Sequence, residues 1–284
     1  MIASLGMYDR AEVQAAHDRL WALIRDAMRA QGMAAPQSLT RGAGAYWDAW
    51  TAPDLVLSQT CGFPYRARLH DKVTLIGTPD YGVPNCPPGH YHSVYVTHRG
   101  DPRSTLPDFA NAALAFNEDM SQSGWAAPQN HARTLGLTLR PALRTGSHLA
   151  SARAVAERRV DIAALDAVSW SMIAEWEPFA QDLQVIGHTP PTPGLPYIAA
   201  LGTDAARVFD IITGAIAALT EPDRIILRLR GLIRIEPAAY LAIPTPPTPA
   251  SLGLQNCPFI LAEISPPEAP SPAKDAPRGI FWPE

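Results

Sequence analysis

The chain has 284 residues, which is enough for one large two-lobed domain or for two ordinary domains with a full hydrophobic core. Apolar residues make up 47% of the sequence and charged residues 18%, a balance that is typical of globular proteins and excludes a disordered chain. The formal net charge is -4 and there is no basic stripe, which argues against nucleic acid as a partner.

Neither a membrane span nor a signal peptide is predicted. No apolar run approaches the roughly 20 residues that a transmembrane helix needs. Met1–Met7 has no basic leader and no long apolar region, and its composition favours a first strand. This start is compatible with a cytoplasmic protein, or with an exported protein whose leader is absent from the sequence.

The N-terminal part predicts strands alternating with one long helix. Ile2–Met7 is a candidate strand, and Asp9 is a candidate cap for the helix after it. Apolar residues recur at helical spacing from Val13 to Gln31, and Gly32 ends the run. Short apolar strands follow at Leu55–Ser58 and Val73–Gly77. Such alternation is typical of an α/β sheet with parallel pairs.

A second α/β set follows the longer predicted strand His92–His98. Its predicted elements are a strand at Ala113–Phe116, a helix at Ser121–Leu135, a short strand near Leu139, a helix at His148–Arg158, and strands at Ile162–Leu165 and Leu183–Gly187. Pro128 falls after the first turn of its helix, so we expect it to bend or restart that helix.

Proline marks the rest of the chain. Thr189–Pro196 predicts a stiff extended passage. The elements expected after it are a strand at Tyr197–Gly202 and helices at Asp204–Thr220 and Glu221–Gly231. From Ile243 onward the prolines exclude a helix interior or a central strand. We therefore expect an extended surface tail, held by Phe259–Leu261 and Phe281–Trp282.

These elements predict an α/β fold of two lobes with a cleft between them. We assign residues 1–96 and 191–242 to lobe one, residues 97–190 to lobe two, and residues 243–284 to the tail. The chain then crosses twice between the lobes, and two crossing strands would form a hinge.

Two turns have the composition of an anion site. Ser121, Gln122, Ser123 and Gly124 form a predicted helix start, where hydroxyls, unpaired N–H groups and the positive end of the helix dipole favour an oxyanion. Thr145–His148 opens the next helix in the same way, and His148 could donate to the anion. The alternatives are ordinary N-capping by Ser121 or Ser123 at the first turn and a surface histidine at the second.

Asp166 follows a predicted strand, and ligands collect at the carboxyl ends of strands in open α/β sheets. It could bind a cation or a hydroxyl group of the ligand. Alternatively it caps the helix that starts near Ser169. Several aromatic residues, Tyr91 among them, could line the cleft or simply pack in the core.

The cysteines leave alternatives open. Cys61 and Cys86 lie in Gly/Pro-rich loops, where either a disulfide or two buried thiols is plausible, and Cys257 has no obvious mate. Cys86, His90 and His92 suggest a metal set, but no fourth ligand has suitable spacing, so we expect no metal. Neither a Gly-x-Ser-x-Gly elbow nor a His-Glu-x-x-His motif occurs.

Several stretches resemble the phosphate/phosphonate-binding components of ABC transporters, which have the type 2 periplasmic binding protein fold. The matching stretches are Gln59–Pro64, Tyr91–Val94, Ser121–Gly124, Thr145–His148, Arg153–Asp166 and Pro193–Pro196, in the order of the family and within roughly residues 1–240. The proline-rich tail lies beyond the resemblance.

This resemblance implies a monomeric solute-binding protein with no cofactor, in which each lobe is a mixed sheet flanked by helices. It implies that the Ser-x-Ser helix start holds the phosphonate or phosphate group, that His148 assists, and that Tyr91 closes over the ligand. The full predicted ligand-binding set is Ser121, Gln122, Ser123, Gly124, His148, Tyr91, Asp166 and Gln59. An ABC permease would be the partner and the periplasm the location.

Two other functions fit the same scaffold. One is an enzyme of the kind that makes cofactor precursors, with Cys61, His90, His92 or His148 as nucleophile or base. The other is a cytoplasmic sensor that presents its ligand-closed shape to a partner.

Overall fold

Two five-stranded sheets form the framework of residues 1–254, the part of the chain that this computed structural model describes. In chain order the strands are β1 (Ile2–Ser4), β2 (Leu55–Gln59), β3 (Val73–Asp80), β4 (His90–Tyr91), β5 (Ser93–His98), β6 (Ala113–Phe116), β7 (Arg140–Arg144), β8 (Ile162–Asp166), β9 (Leu183–His188), β10 (Thr192–Pro193), β11 (Tyr197–Ala200) and β12 (Gly231–Ile233). The first sheet has the order β1-β2-β11-β3-β12 and the second β7-β6-β8-β5-β9. One sheet in each lobe confirms the predicted two-lobed α/β fold.

Both sheets are mixed. In the first, β1 and β2 are parallel and β11 runs antiparallel to β2 and β3. In the second, β6 is parallel to β7 and β8, whereas β5 is antiparallel to β8 and β9. The carboxyl ends of β6, β7 and β8 therefore meet at one edge of the second sheet.

The chain crosses between the lobes along a short two-stranded ribbon. β4 leads into the second sheet, β10 leads back to the first, and the two pair antiparallel. The whole of β5 belongs to the second sheet, so the predicted lobe boundary at residue 96 falls inside a strand. Strand partners, which decide the sheet, are not visible in a single sequence.

The helices cover the faces of the sheets. They are α1 (Gln14–Ala30), α2 (Trp47–Trp50), α3 (Gly62–Pro64), α4 (Ala127–Thr134), α5 (His148–Ala156), α6 (Ala167–Trp176), α7 (Ala205–Ala218), α8 (Glu221–Leu227) and α9 (Pro237–Leu241). Five 3-10 turns (Gly6–Tyr8, Gly42–Ala45, Leu106–Phe109, Pro178–Asp182, Ala250–Leu252) and two π turns (Tyr65–Leu69, Gln122–Ala126) complete the elements of residues 1–254. No helix in that range is both long and apolar enough to cross a membrane.

The long first helix forms as predicted, but its cap does not. Leu20, Ile24 and Met28 are buried on one face of α1, at the helical spacing that predicted it. Asp9 does not cap α1, whose N-cap position is Val13. The Asp9 carboxylate instead accepts a hydrogen bond from Arg41 Nε at 2.7 Å. The prediction of an Asp9 cap is therefore wrong, because this side chain forms an ion pair with Arg41.

The predicted helix Ser121–Leu135 consists of two pieces. Gln122–Ala126 forms the π turn, and α4 continues from Ala127. Pro128 lies in the first turn of α4, where its missing N–H costs nothing, so it restarts the helix as expected. The predicted helix Glu221–Gly231 ends earlier, at Leu227, and β12 follows as an edge strand that the sequence did not reveal.

The residues Ile243–Leu254, which we call the C-terminal segment, run over both lobes. The carbonyl oxygen of Pro244 accepts hydrogen bonds from Arg66 Nη2 of lobe one at 3.2 Å and from Asn130 Nδ2 of lobe two at 2.8 Å. The carbonyl oxygen of Pro247 accepts one from Trp125 Nε1 at 2.9 Å. The predicted anchors Phe259–Leu261 and Phe281–Trp282 lie outside the described residues.

The bond between Trp125 and Pro247 gives a test of how firmly the C-terminal segment is attached. Trp125→Phe keeps a buried aromatic ring but removes the donor to the Pro247 carbonyl, so beyond the loss caused by the smaller ring we expect the free energy of unfolding to fall by about 0.5–1.5 kcal/mol. Chemical denaturation measures this change. Trp21→Phe is the matched control, because Trp21 Nε1 is buried without a partner and its removal loses no hydrogen bond. Equal losses in the two variants would contradict the assignment.

Candidate functional site

A cleft of about 960 Å³ lies between the two lobes. Lobe one contributes the turn after β1, the start of α2 and Cys61, whereas lobe two contributes the turns after β6, β7 and β8. The lining residues that matter below are Tyr8, Arg10, Tyr46, Trp47, Cys61, Arg68, Met120, Ser121, Ser123, Ser147, His148, Leu149 and Asp166.

The topology of the second sheet brings the two predicted anion turns together. Beyond β6 and β7, the N–H of Thr145 donates to Phe116 O and that of Gly146 to Asn117 O, each at 2.9 Å, so the parallel pairing extends into the turns. Gly146 has φ +83°, which favours glycine, and this conformation turns the chain into α5. As a result, Ser123 Oγ and His148 Nε2 form a hydrogen bond of 2.9 Å.

Both helix starts keep donors for a ligand after their caps are formed. Ser121 Oγ accepts the N–H of Gly124 at 2.9 Å, and Ser147 Oγ accepts that of Ala150 at 3.1 Å. N-capping therefore occurs at both turns, and at the first turn this agrees with the alternative interpretation. The first-turn N–H groups of Ser123 and His148 have no acceptor within their helices, and both residues line the cleft.

A close approach favours glycine at position 124. A Cβ added there would lie 1.9 Å from Asn117 Oδ1, so any other residue requires the Asn117 side chain to move. Gly124 therefore allows the turn after β6 to fold tightly, although it does not line the cleft.

His148 is neutral at physiological pH. Burial lowers the pKa of its imidazole to about 4, because the site solvates the charged form poorly. Its Nδ1 atom is buried and has no hydrogen-bond partner among residues 1–254.

Asp166 both caps a helix and faces the cleft. One carboxylate oxygen accepts the N–H groups of Val168 at 2.8 Å and Ser169 at 2.9 Å, so Asp166 is the N-cap of α6. The other accepts the Tyr8 hydroxyl of lobe one at 2.9 Å. Burial raises the pKa of this carboxyl to about 6, and these hydrogen bonds oppose the rise only partly.

Three other residues of the predicted set lie behind the cleft surface. Gln59 Nε2 donates to the hydroxyl of Tyr81 and to the carbonyl of Leu195. Gln122 turns away and accepts a hydrogen bond from Arg66. Tyr91 is 3% exposed, and its hydroxyl interacts electrostatically with Cys61 and Asp166 without a hydrogen bond of normal length.

Contacts between the lobes were not foreseen from the sequence. Besides the Tyr8–Asp166 bond, Arg10 Nη2 of lobe one lies 2.6 Å from Glu177 Oε1 of lobe two. Arg66, which is buried and has no carboxylate partner within residues 1–254, donates to Gln122 across the same gap. These partners are more than fifty residues apart, so no local pattern indicates them.

Of the two alternatives left open for Cys61 and Cys86, the structure has the free thiols. Cys61 Sγ accepts the N–H of Gln122 at 3.2 Å, whereas Cys86 Sγ contacts Nδ1 of His92 at 3.4 Å. The two thiols therefore have different partners and do not contact each other. Within residues 1–254 no group of three or more His, Cys, Asp or Glu side chains is placed to hold a metal ion.

The lowered pKa of His148 predicts an acid-dependent loss of stability. Between pH 6.5 and 4 the unfolded chain binds a proton at this histidine and the folded chain does not, so stability falls as pH falls through that window. His148→Asn should therefore lose about 1 kcal/mol less than the wild type between pH 7 and 5. Asp166, whose folded pKa is raised, contributes the opposite slope in both proteins.

Denaturant unfolding at each pH measures the difference, and His70→Asn at an exposed position is the control. An unchanged slope in His148→Asn would contradict the assignment.

Comparison with known proteins identifies the family. Residues 49–240 match the family model described as the periplasmic substrate-binding protein of phosphonate ABC transporters, and no curated protein sequence matches the chain. The fold is similar to that of PhnD1 from Prochlorococcus marinus in complex with methylphosphonate, at 18% identity with a TM-score of 0.64 over 84% of this chain and 94% of that one. It is also similar to a binding protein component of an ABC phosphonate transporter from Pseudomonas aeruginosa (17%, TM-score 0.63, 84% and 83%) and to XAC2383 from Xanthomonas citri bound to ATP (17%, TM-score 0.63, 88% and 96%). Because the family model covers more than half of its length, the chain belongs to the periplasmic substrate-binding proteins of phosphonate ABC transporters.

Proposed function

We propose that the cleft binds the phosphorus oxyanion of a phosphate or phosphonate, with donors from the two helix starts of lobe two. The single observation that carries this is the hydrogen bond of 2.9 Å between Ser123 and His148, because it places both starts at one point of the cleft wall. Two positive helix ends that converge on one point favour an anion there. Membership in the phosphonate-binding family supports the same ligand class.

The neutral His148 directs a hydroxyl proton toward the anion. A neutral imidazole has one N–H, and a buried N–H without an acceptor is rarer than a buried lone pair without a donor. The unpartnered Nδ1 therefore carries the lone pair, and Nε2–H donates to Ser123 Oγ. The Ser123 hydroxyl then keeps its own proton to donate, and a ligand oxygen competes for it with the neighbouring Tyr91 hydroxyl.

Asp166 sets which groups accompany the anion. Its carboxylate lies in the same cleft, so it disfavours a second negative charge and favours an ammonium or hydroxyl group on the non-phosphorus part of the ligand. Tyr91 and Gln59 support the wall from behind through buried contacts, and Gln122 ties the anion turn to Arg66.

Membership in the family implies that the protein captures a ligand and delivers it to a membrane permease. The functional response to the ligand is closure of the two lobes. The enzyme hypothesis needs an activated nucleophile. Cys61 and His148 are its candidates in the cleft. Burial raises the pKa of the Cys61 thiol and so disfavours the reactive thiolate, and His148 Nδ1 has no partner among residues 1–254 that would orient the ring as a base. We therefore infer a monomeric binding protein that acts in the periplasm and performs no reaction.

Titration calorimetry with phosphate, phosphite, methylphosphonate and 2-aminoethylphosphonate tests the proposed function. Methylphosphonate comes first, because a protein of similar fold is found in complex with it. We expect saturable heat with one or more of these anions. The absence of heat, together with no shift of the melting temperature by any of them, would overturn the proposal.

Ser123→Ala should weaken the binding of methylphosphonate about 10- to 100-fold, because it removes one hydrogen bond to a charged oxygen. Calorimetry measures the dissociation constant. Ser171→Ala is the matched control, since the Ser171 hydroxyl donates to the Val168 carbonyl outside the cleft lining. Equal affinity in both variants would exclude Ser123 from the anion site.

Asp166→Asn should bind methylphosphonate several-fold more tightly than the wild type at pH 8, because it removes a negative charge from the cleft. The wild-type carboxyl takes up a proton as pH falls below about 6, so the affinity ratio of variant to wild type should approach one at pH 5. Taking the ratio at each pH cancels the titration of the ligand itself. A ratio that does not change with pH would contradict an ionised Asp166 beside the anion.

A further inference from the structure

The cleft is far larger than the anion for which its inner wall is built. Its volume of about 960 Å³ equals the share of roughly thirty water molecules in the liquid. Methylphosphonate has only a few non-hydrogen atoms and would fill a small part of this space. Most of the cleft volume is therefore available to a larger group attached to the phosphorus oxyanion.

Two contacts between the lobes already limit how far the cleft can narrow. Tyr8 and Asp166 already form a hydrogen bond across the cleft, and Arg10 and Glu177 form an ion pair beside it. Further rotation of the lobes toward each other is limited by these contacts.

Two exposed aromatic rings line the cleft on the side of lobe one. Tyr46 is 39% exposed and Trp47 is 36% exposed, and among residues 1–254 they are the aromatic members of the exposed large apolar side chains. Exposed rings of this size at a cleft are characteristic of ligand contact, since leaving them in water costs burial energy.

The rings are held in position without a ligand. Trp50 packs edge-on against Tyr46 at 6.0 Å and against Trp47 at 5.1 Å between ring centroids. The Tyr46 hydroxyl donates to the Gly6 carbonyl at 3.1 Å. We call the rings of Tyr46 and Trp47 the aromatic platform. Because the platform is ordered before a ligand binds, little conformational entropy is lost when a ligand ring stacks on it.

A cation stands beside the platform. The Arg68 guanidinium lies 5.4 Å from the centroid of the Trp47 ring, and Arg68 forms no ion pair among the described residues. On the opposite wall, lobe two contributes the apolar side chains Met120 and Leu149. A planar group that enters here meets aromatic, cationic and apolar surfaces, which is the combination that binds aryl and heteroaryl rings.

We propose that the natural ligand carries an aryl or heteroaryl group on its phosphorus oxyanion, and that this ring stacks on the platform of Tyr46 and Trp47. This inference rests on the proposed function, which supplies the anion site. Aryl phosphonates and aryl phosphate esters share the chemistry, and the experiment separates them.

The experiment compares ligands that differ only beyond the phosphorus. Titration calorimetry with methylphosphonate, cyclohexylphosphonate, phenylphosphonate and phenyl phosphate gives four dissociation constants for the full chain. We expect phenylphosphonate or phenyl phosphate to bind about tenfold more tightly than methylphosphonate and more tightly than cyclohexylphosphonate. Whichever of the two aryl ligands binds better shows whether the ligand is a phosphonate or an ester.

Variants at position 47 test whether the tighter binding of the aryl ligands comes from the platform. Trp47→Ala should abolish the advantage of the aryl ligands over cyclohexylphosphonate, whereas Trp47→Phe should keep most of that advantage. Leu201→Ala, an exposed apolar position outside the cleft lining, is the control and should change neither affinity.

The outcomes separate the two proposals. If methylphosphonate binds and neither aryl ligand binds more tightly than cyclohexylphosphonate, the aromatic subsite is wrong and the proposed function stands. If no phosphorus oxyanion binds at all, the proposed function is wrong. An aryl advantage that survives in Trp47→Ala would also overturn the platform.

Discussion

The bond between Ser123 and His148 is the constraint on which the rest of the cleft depends. It exists because β6 and β7 are parallel neighbours whose carboxyl ends share one edge of the second sheet, so that the helices after them begin side by side. β8 ends at the same edge with Asp166, which places a carboxylate next to two positive helix ends. In the proposed site, one sheet edge thus provides both the attraction for an anion and the limit on how much negative charge can enter.

Buried polar atoms without partners gather around this point. Tyr91 Oη, Asn117 Oδ1 and His148 Nδ1 all lack hydrogen bonds among the described residues, although each such atom costs about 1–3 kcal/mol when buried. Interiors far from functional sites rarely keep such groups unpaired. These atoms lie close to the Ser121–Gly124 turn, where a bound ligand or water could supply their missing partners.

The sequence predicted what depends on local patterns. The strand Ala113–Phe116, the long helix after Val13 and the helix starts at Ser121 and Ser147 follow from apolar spacing and capping residues, and the structure contains all of them. It could not predict features that depend on distant partners. The sheet to which β5 belongs, the ion pair that takes Asp9 away from α1, and the inward turn of Gln122 toward Arg66 are decided by residues far along the chain. The aromatic platform escaped notice because α2 is a single turn in a Gly-rich stretch with no helical periodicity.

The C-terminal segment has a consequence for how the lobes move. Pro244 accepts hydrogen bonds from Arg66 on one side of the gap and from Asn130 on the other, so the same carbonyl bridges both lobes. Swinging the lobes apart must break one of these bonds or peel the segment away, and either event slows opening relative to a hinge of β4 and β10 alone. A bound solute would then dissociate slowly, at a rate that depends on the C-terminal segment as well as on the atoms that bind the solute. A partner that displaces this segment would speed the release of the solute.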